Sequence, residues 1–150
     1  EGLGGMDWGA IAEDYLASIA KELRVPVTVM RSPRLSDQTH RLTQTLARQI
    51  RQCLVFVADT TAIAQVGVGA GGDSALLVPS PSVMLELGYA MAVKPADQVL
   101  ALYGRAGAIP GAYPFDLPSY QLVRFPEGED PAARFGQALG DRLQQLRVLK

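Results

Sequence analysis

One cysteine and one histidine stand in 150 residues, and each scarcity closes off a class of chemistry. The lone Cys53 excludes a disulfide framework within the chain; set in the apolar run CLVFVA, it reads as a small buried hydrophobe in a reducing compartment. The lone His40 leaves no cluster with zinc spacing and no serine or cysteine triad built on a local histidine base. Its place early in a helix makes it a surface residue. Neither sign of charge is in excess: 14 basic residues stand against 15 acidic ones, for a net charge of -1. No global field therefore draws the chain to nucleic acid or to an anionic membrane. No apolar run approaches the ~20 residues of a membrane span, and the N-terminus lacks a basic region followed by a hydrophobic one. The expectation is a soluble cytoplasmic protein, or a soluble domain of a larger one, with no nucleic-acid or membrane partner.

The length suits one domain, burying roughly 68–70% of the surface of its unfolded chain. Glu1 to Gly5, EGLGG, reads as a linker and residues 6–150 as a single domain. MDWGAIAEDYLASIAKELRV has Asp7 as a cap and Ile11, Tyr15, Leu16, Ile19 and Leu23 at helical spacing. VPVTVM, Val25 to Met30, follows as a β-branched strand. The polar stretch RSPRLSDQTH then caps a second helix at Ser36 or Asp37, with Leu42, Leu46 and Ile50 on its apolar stripe. CLVFVAD and DQVLALYG are continuous apolar strands of the kind buried on both faces in a parallel sheet, and YQLVRFP is a shorter third. A last helix runs from about Pro131 to Leu149. Strands alternating with helices predict an α/β domain with a mostly parallel sheet.

Thr60 to Ser80 breaks this rhythm, being glycine-rich with little helical or strand pattern, and reads as a functional or disordered loop. Within it Gly67, Gly69 and Gly72 satisfy G-x-G-x-x-G, but seven residues separate Asp59 from Gly67. A dinucleotide turn needs those glycines where a strand meets a helix. A mobile loop is the better reading. No G-K-[ST] is present, so there is no P-loop.

In PSPSVMLELGYAMAV, Pro79 to Val93, the sequence predicts a buried helix opening at a Ser80 cap with Pro81 at its first position. Val83, Met84, Leu87 and Met91 form the apolar face. Glu86 is the only charged residue between Leu76 and Val93. It is either a solvent-facing residue on an amphipathic helix or a constrained site, since an unpaired carboxylate is costly to bury. Gly88, which costs a helix roughly 1 kcal/mol relative to alanine, favours the second by letting a backbone or ligand come close. Asp59 ends a buried strand, where open α/β sheets bind ligands; alternatively Asp59 and Thr60 cap the turn. Asp116 in YPFDLPSY reads as a turn residue between prolines.

VFVADTT, then PSPSVMLELGYAMA, then YPFDLPSY together resemble the bacterial TIR-like proteins related to nucleoside 2-deoxyribosyltransferases. The resemblance covers about Val27 to Phe125 and is most specific over Val83 to Ala90. It implies a flavodoxin-like α/β fold, with Glu86 matching the catalytic glutamate and Asp59, Thr60, Ser82, Tyr89 and Asp116 as substrate contacts. Trp8 or Tyr113 would stack a base. It also implies cleavage of the bond between ribose and nicotinamide in NAD, which is then the substrate, with no resident cofactor or metal. Such domains serve in bacterial anti-phage or stress signalling, as homo-oligomers or with a partner or fused sensor domain. Two departures stand out. Ser80 and Ser82 replace the asparagines of Asn-Pro-Asn-Val, and Arg31 and Arg34 stand where acidic residues are expected. The first strand usual in relatives is expected to be missing ahead of the first helix. Three functions follow: an NAD glycohydrolase, a nucleotide or cyclic-nucleotide binding or assembly module using the same pocket without chemistry, or a nucleoside 2-deoxyribosyltransferase. The apolar stretch ALLVPSPSVM is the expected contact surface.

Overall fold

A computed structural model describes residues 5–32, 43–67, 75–103, 113 and 117–150, with Ser119 described by its backbone alone. His40, Arg34, Ser36, Asp37, Gly69, Gly72 and Asp116 lie outside the described residues. The chain falls into two compact units, Glu1–Gly5 with His40–Arg124, and Met6–Thr39 with Phe125–Lys150.

The unit built from Met6–Thr39 and Phe125–Lys150 pairs helix α1, Trp8–Ser18, with helix α4, Pro131–Gln145. Asp7 caps α1 as expected, its Oδ1 accepting from the Ala10 N–H at 3.0 Å. Asp130 does the same for α4, accepting from the Ala132 N–H at 3.2 Å with Pro131 at the first position. Gly136 and Gly140, one turn apart, open a groove for the Tyr15 ring; a Cβ on Gly136 would lie 2.9 Å from Tyr15 Cδ2. The buried Trp8 ring stacks on Phe125 with centroids 5.0 Å apart and meets the edge of Phe135 at 5.4 Å. Trp8 is thus a core residue of this unit and not the base-stacking ring the resemblance implied.

Several expectations fail in this unit, the first being that α1 ends at Ser18, short of Ile19 and Leu23. Val25–Met30 is no strand: the chain is irregular there, and a bridge joins Leu23, just before it, to Leu149. Pro26 supplies no N–H to a ladder. The alternation that suggested a strand is real, since Val27 and Val29 are half-buried while Thr28 and Met30 are exposed, but burial alone makes no ladder. Helix α4 also stops at Gln145 instead of continuing to Leu149. Arg147 turns left-handed, with φ of 58°. Its N–H and that of Val148 close back on the carbonyls of Gln144 and Leu143 at 2.9 Å each, a helix stop that glycine usually makes. Arg31, where an acidic residue was expected, bridges Asp7 at 3.0 Å and Glu13 at 3.3 Å on the surface of α1. The Asp7 carboxyl is held below its ordinary pKa by the Ala10 N–H first and by Arg31 second.

The other unit is α/β. Strands β1, Phe56–Asp59, β4, Val99–Tyr103, and β5, Leu122–Arg124, form a parallel sheet in the order β1-β4-β5. These are the three apolar runs that the sequence marked as strands, each beginning later than expected. Asp97 and Gln98, expected to begin the second strand, lie in a short 3-10 turn over Ala96–Gln98. Helix α2, Gln44–Gln52, is capped by Thr43, whose Oγ1 accepts from the Leu46 N–H at 3.1 Å. The capping expected at Ser36 or Asp37 falls outside the described residues.

The segment read as a loop is largely a hairpin. Strands β2, Ala62–Gly67, and β3, Ala75–Pro79, pair antiparallel with an irregularity between Ala62 and Ala64. The glycines mask a run of short apolar and β-branched residues, Ile63, Val66, Leu77 and Val78, that suits a sheet. Gly67 lies in β2 and takes part in no strand-to-helix turn.

Helix α3, Pro81–Val93, matches its expected bounds. Its buried face differs. Leu87 and Ala90, with Val83 beside them, pack on Ala58, Val99 and Ala101 of the sheet and on Leu46 and Ile50 of α2, whereas Met91 is 42% exposed. The core thus runs between the sheet and α2 with α3.

Candidate functional site

Two pins orient α3. Pro79 pairs with Ala62, only three residues beyond the end of β1, so the chain enters α3 beside the carboxyl end of that strand. At the other end of the helix, buried Lys94 donates through Nζ to the carbonyl oxygen of Cys53, ahead of β1. Helix α3 therefore runs antiparallel to β1, with its N-terminal half at the sheet edge where parallel α/β folds bind ligands.

Glu86 lies five residues beyond Pro81, roughly 7–8 Å along the helix axis. It is 9% exposed, so the solvent-facing reading fails. Ser82, Glu86 and Tyr89 follow one another at i, i+4 and i+7 along one flank of α3, next to the Val83, Leu87, Ala90 stripe. Gly88 lies on the exposed side, with nothing among the described residues within 4 Å of the place a Cβ would take. No close approach there accounts for the glycine.

The carboxyl ends of the three strands bring a second group together. Asp59 is paired with Leu102, and one step further Tyr103 is paired with Arg124. The Thr60 N–H and Oγ1 both donate to the Leu102 carbonyl, at 3.1 and 2.8 Å, and Thr60 is fully buried. Alternation along each strand puts Tyr103 and Arg124 on the face that carries Ala101 and Leu122. Those residues belong to the core packed beneath α3. The Arg124 guanidinium lies over the Tyr103 ring, 4.9 Å from its centroid, and Tyr113 meets the same ring with centroids 4.1 Å apart.

Buried Tyr113 closes this group over the end of β1, hydrogen-bonding the Thr60 hydroxyl and the Ala62 backbone. Burial first, then the neighbouring Tyr103 and Asp59, push its phenol up to about 12, against the pull of those hydrogen bonds. The phenol is therefore a neutral hydrogen-bonding group throughout the physiological range.

Asp59, Ser80, Ser82 and Tyr89 each have a definite hydrogen-bond partner. The Asp59 Oδ1 accepts from the Thr61 N–H at 3.0 Å and from the Thr61 hydroxyl at 2.6 Å, which is the turn-capping alternative realised. Ser80 stands at the N-cap of α3 without a side-chain cap bond; its hydroxyl pairs instead with that of Ser82 at 2.8 Å. The Tyr89 phenol accepts from Arg51 Nη1 of α2, which ties it to the neighbouring helix. Tyr113 joins Asp59 and Thr60. Glu86 and Ser82 lie on α3, and Asp116 lies outside the described residues.

Tyr103 and Arg124 were missed, although each is the last residue of a strand that the sequence identified. Position at a strand's carboxyl end was the available signal, and it was applied only to Asp59.

These features define an α/β unit whose parallel sheet presents polar and aromatic side chains at its carboxyl edge, beneath a helix carrying a buried glutamate. Among known proteins, the chain matches no family model, no curated protein and no solved structure. Among the described residues no helix is long and apolar enough to cross a membrane.

Proposed function

We propose that the chain is a flavodoxin-like, TIR-like NAD glycohydrolase that cleaves the bond between ribose and nicotinamide, with Glu86 as its catalytic carboxylate. The observation that carries this reading is the burial of Glu86 on α3, in the half of the helix that begins at the carboxyl end of β1. A carboxylate kept at such a place is held for a purpose other than solubility.

The chemistry asks for little else. Loss of nicotinamide develops positive charge on the ribose, and the pyridinium is already a good leaving group. Glu86 stabilises that charge, or attacks the anomeric carbon as carboxylates do in glycoside hydrolysis. Asp59, Thr60, Ser82 and Tyr113 supply hydrogen bonds around the sugar. NAD is the substrate, and no resident cofactor is called for. The setting that goes with this reading is an effector in bacterial anti-phage or stress signalling, switched on by self-association or by a sensor domain.

The test is release of nicotinamide from NAD at high protein concentration, comparing the parent with Glu86→Gln and using circular dichroism as the fold control. A loss of about 10²-fold or more in a folded variant is expected. Equal turnover in a folded Glu86→Gln chain would remove Glu86 from the mechanism.

One set of contacts favours a second reading, a nucleotide-binding or assembly module without chemistry. Thr60 is hydrogen-bonded to Leu102, Ser82 to Ser80 and Asp59 to Thr61, so these groups already serve the fold. Saturable nucleotide binding without product supports that module. Exchange of bases between deoxynucleosides would instead identify a deoxyribosyltransferase.

A further inference from the structure

We propose that the solvent face of α3 is the seam of a homodimer, in which two copies of the helix cross antiparallel at Gly88. The seam stands apart from the proposed activity, which takes from it only the place where self-association would act.

No exposed residue of α3 has a polar side chain: they are Pro81, Leu85, Gly88, Met91, Ala92 and Val93. The one charge of the helix, Glu86, is buried. A helix that is apolar all round is normally covered on every side. Yet the strip of α3 that packs on the sheet and on α2 is that of Val83, Leu87 and Ala90, and away from it Leu85 is 47% and Met91 42% exposed. Pro81, Leu85, Gly88 and Ala92 are spaced four, three and four residues apart, the spacing that keeps one line of side chains against a second helix. Of the stretch expected as a contact surface, Leu77 and Pro79 are buried in β3. The exposed apolar surface lies further along, on the helix.

A second copy is the occupant because the seam complements itself. A two-fold axis close to Gly88 sets Leu85 of each copy against Ala92 of the other, a large side chain against a small one, with Met84 and Met91 of opposite copies meeting along one flank. Gly88 lies at the crossing, where the lack of a side chain lets two backbones approach. No described residue of the chain itself fills the space beside that glycine. Charge adds no barrier, since the seam carries none and the chain's net charge is only -1. The exposed part of the seam is on the order of 400 Å² per copy, so the dimer buries about 800 Å² in all, below the roughly 1,200–2,000 Å² of stable interfaces. The dimer is therefore weak and forms with rising concentration.

Sedimentation equilibrium on the full chain, from about 10 μM to about 1 mM, tests this with circular dichroism as the fold control. The parent is expected to pass from monomer towards dimer across that range. Leu85→Glu and Met91→Glu, both at exposed positions, put a carboxylate on the seam twice per dimer and are each expected to weaken association by at least roughly tenfold. Ile63→Glu, at a residue 68% exposed on β2, should leave it unchanged. In a Cys53→Ala background, Gly88→Cys should give a disulfide-linked dimer on mild oxidation, because the axis brings the two positions within bridging distance; Ile63→Cys should not. A parent that stays monomeric throughout the range overturns the inference, as does undiminished dimerisation of a folded Leu85→Glu, a dimer broken by Ile63→Glu, or a Gly88→Cys chain that fails to cross-link. Nicotinamide release is read separately. Glu86-dependent turnover by a chain that stays monomeric overturns the seam and keeps the glycohydrolase; a Leu85-dependent dimer without turnover does the reverse.

Discussion

Lys94, the last residue of the α3 turn, donates its Nζ to the carbonyl oxygen of Cys53 at the end of α2 and reaches that of Arg51 at 3.4 Å. A cation at a helix C-terminus meets carbonyls that no backbone N–H satisfies, and this one ties α2, α3 and the start of β1 together. Lys94→Met keeps the stem and drops the charge, so we expect a loss of about 1–3 kcal/mol in denaturant unfolding. A second readout separates this from mere loss of packing. Burial raises the Cys53 thiol above its ordinary pKa while Lys94 holds it down, so removing Lys94 moves it further up. Alkylation of Cys53 in the folded variant should be slower at mildly alkaline pH; an unchanged rate would uncouple the two residues.

Two helical glycines should respond to alanine with opposite signs. Gly88 is exposed, with open space where a Cβ would go, and Gly88→Ala should stabilise the fold by up to about 1 kcal/mol through helix propensity. If it instead weakens ligand binding, then the glycine serves an approaching ligand after all. At Gly140 the new Cβ would run into the Tyr15 hydroxyl, and Gly136 holds the same ring from the adjacent turn. The crowding there, about 1–3 kcal/mol, outweighs the propensity gain. Gly140→Ala should destabilise, and adding Tyr15→Phe should recover part of the loss in a double-mutant cycle.

Legibility from the sequence followed the strength of the pattern. VLALY is apolar throughout and its first four residues are buried, which made it recognisable as a parallel strand; VFVA reads the same way, although of β1 only Ala58 is fully buried. The cap at Asp7 and the proline opening α3 were legible because helix starts are local chemistry, whereas the side-chain cap expected of Ser80 is not made. The hairpin was not legible, because β2 is almost wholly exposed and shows no buried alternation. The helix face was misplaced by one strip: hydrophobicity picked out Met84 and Met91, while packing on Ala58 and Ala101 selected the smaller Ala90. Glu86 stood out as a lone charge in an apolar helix, whereas Arg124 looked ordinary in YQLVRFP. Its place became visible only when strand order set it beside Tyr103.

Arg147 carries a cost that its environment does not require. Its φ of 58° is left-handed backbone, unfavourable by roughly 1–2 kcal/mol for a residue with a Cβ. It is held there because its N–H and that of Val148 satisfy the last carbonyls of α4. Arg147→Gly removes the steric penalty, at the expense of a more flexible unfolded chain, and should raise stability by about 0.5–1 kcal/mol. A lower melting temperature would show that the Arg147 side chain contributes more than its backbone costs.

Tyr113 should report on the candidate site through pH. Its phenol is pushed up to about 12 from an ordinary value of 10.0, so between those values the folded chain holds a proton that the unfolded chain has released. The unfolded state then binds fewer protons than the native one, and stability must fall as pH rises. The contribution is fully present below pH 10.0 and is lost as pH climbs through about 12. Of the five tyrosines, Tyr15 is also raised, chiefly by burial, so ultraviolet titration should show a late-ionising component from both. Tyr113→Phe should remove one late step and flatten the alkaline fall in stability, and it should also free the Thr60 hydroxyl from its second partner. A nucleotide that packs against Tyr113 should raise its titration further by excluding water. An unmoved Tyr113 titration at saturating AMP would place the ligand elsewhere on the chain.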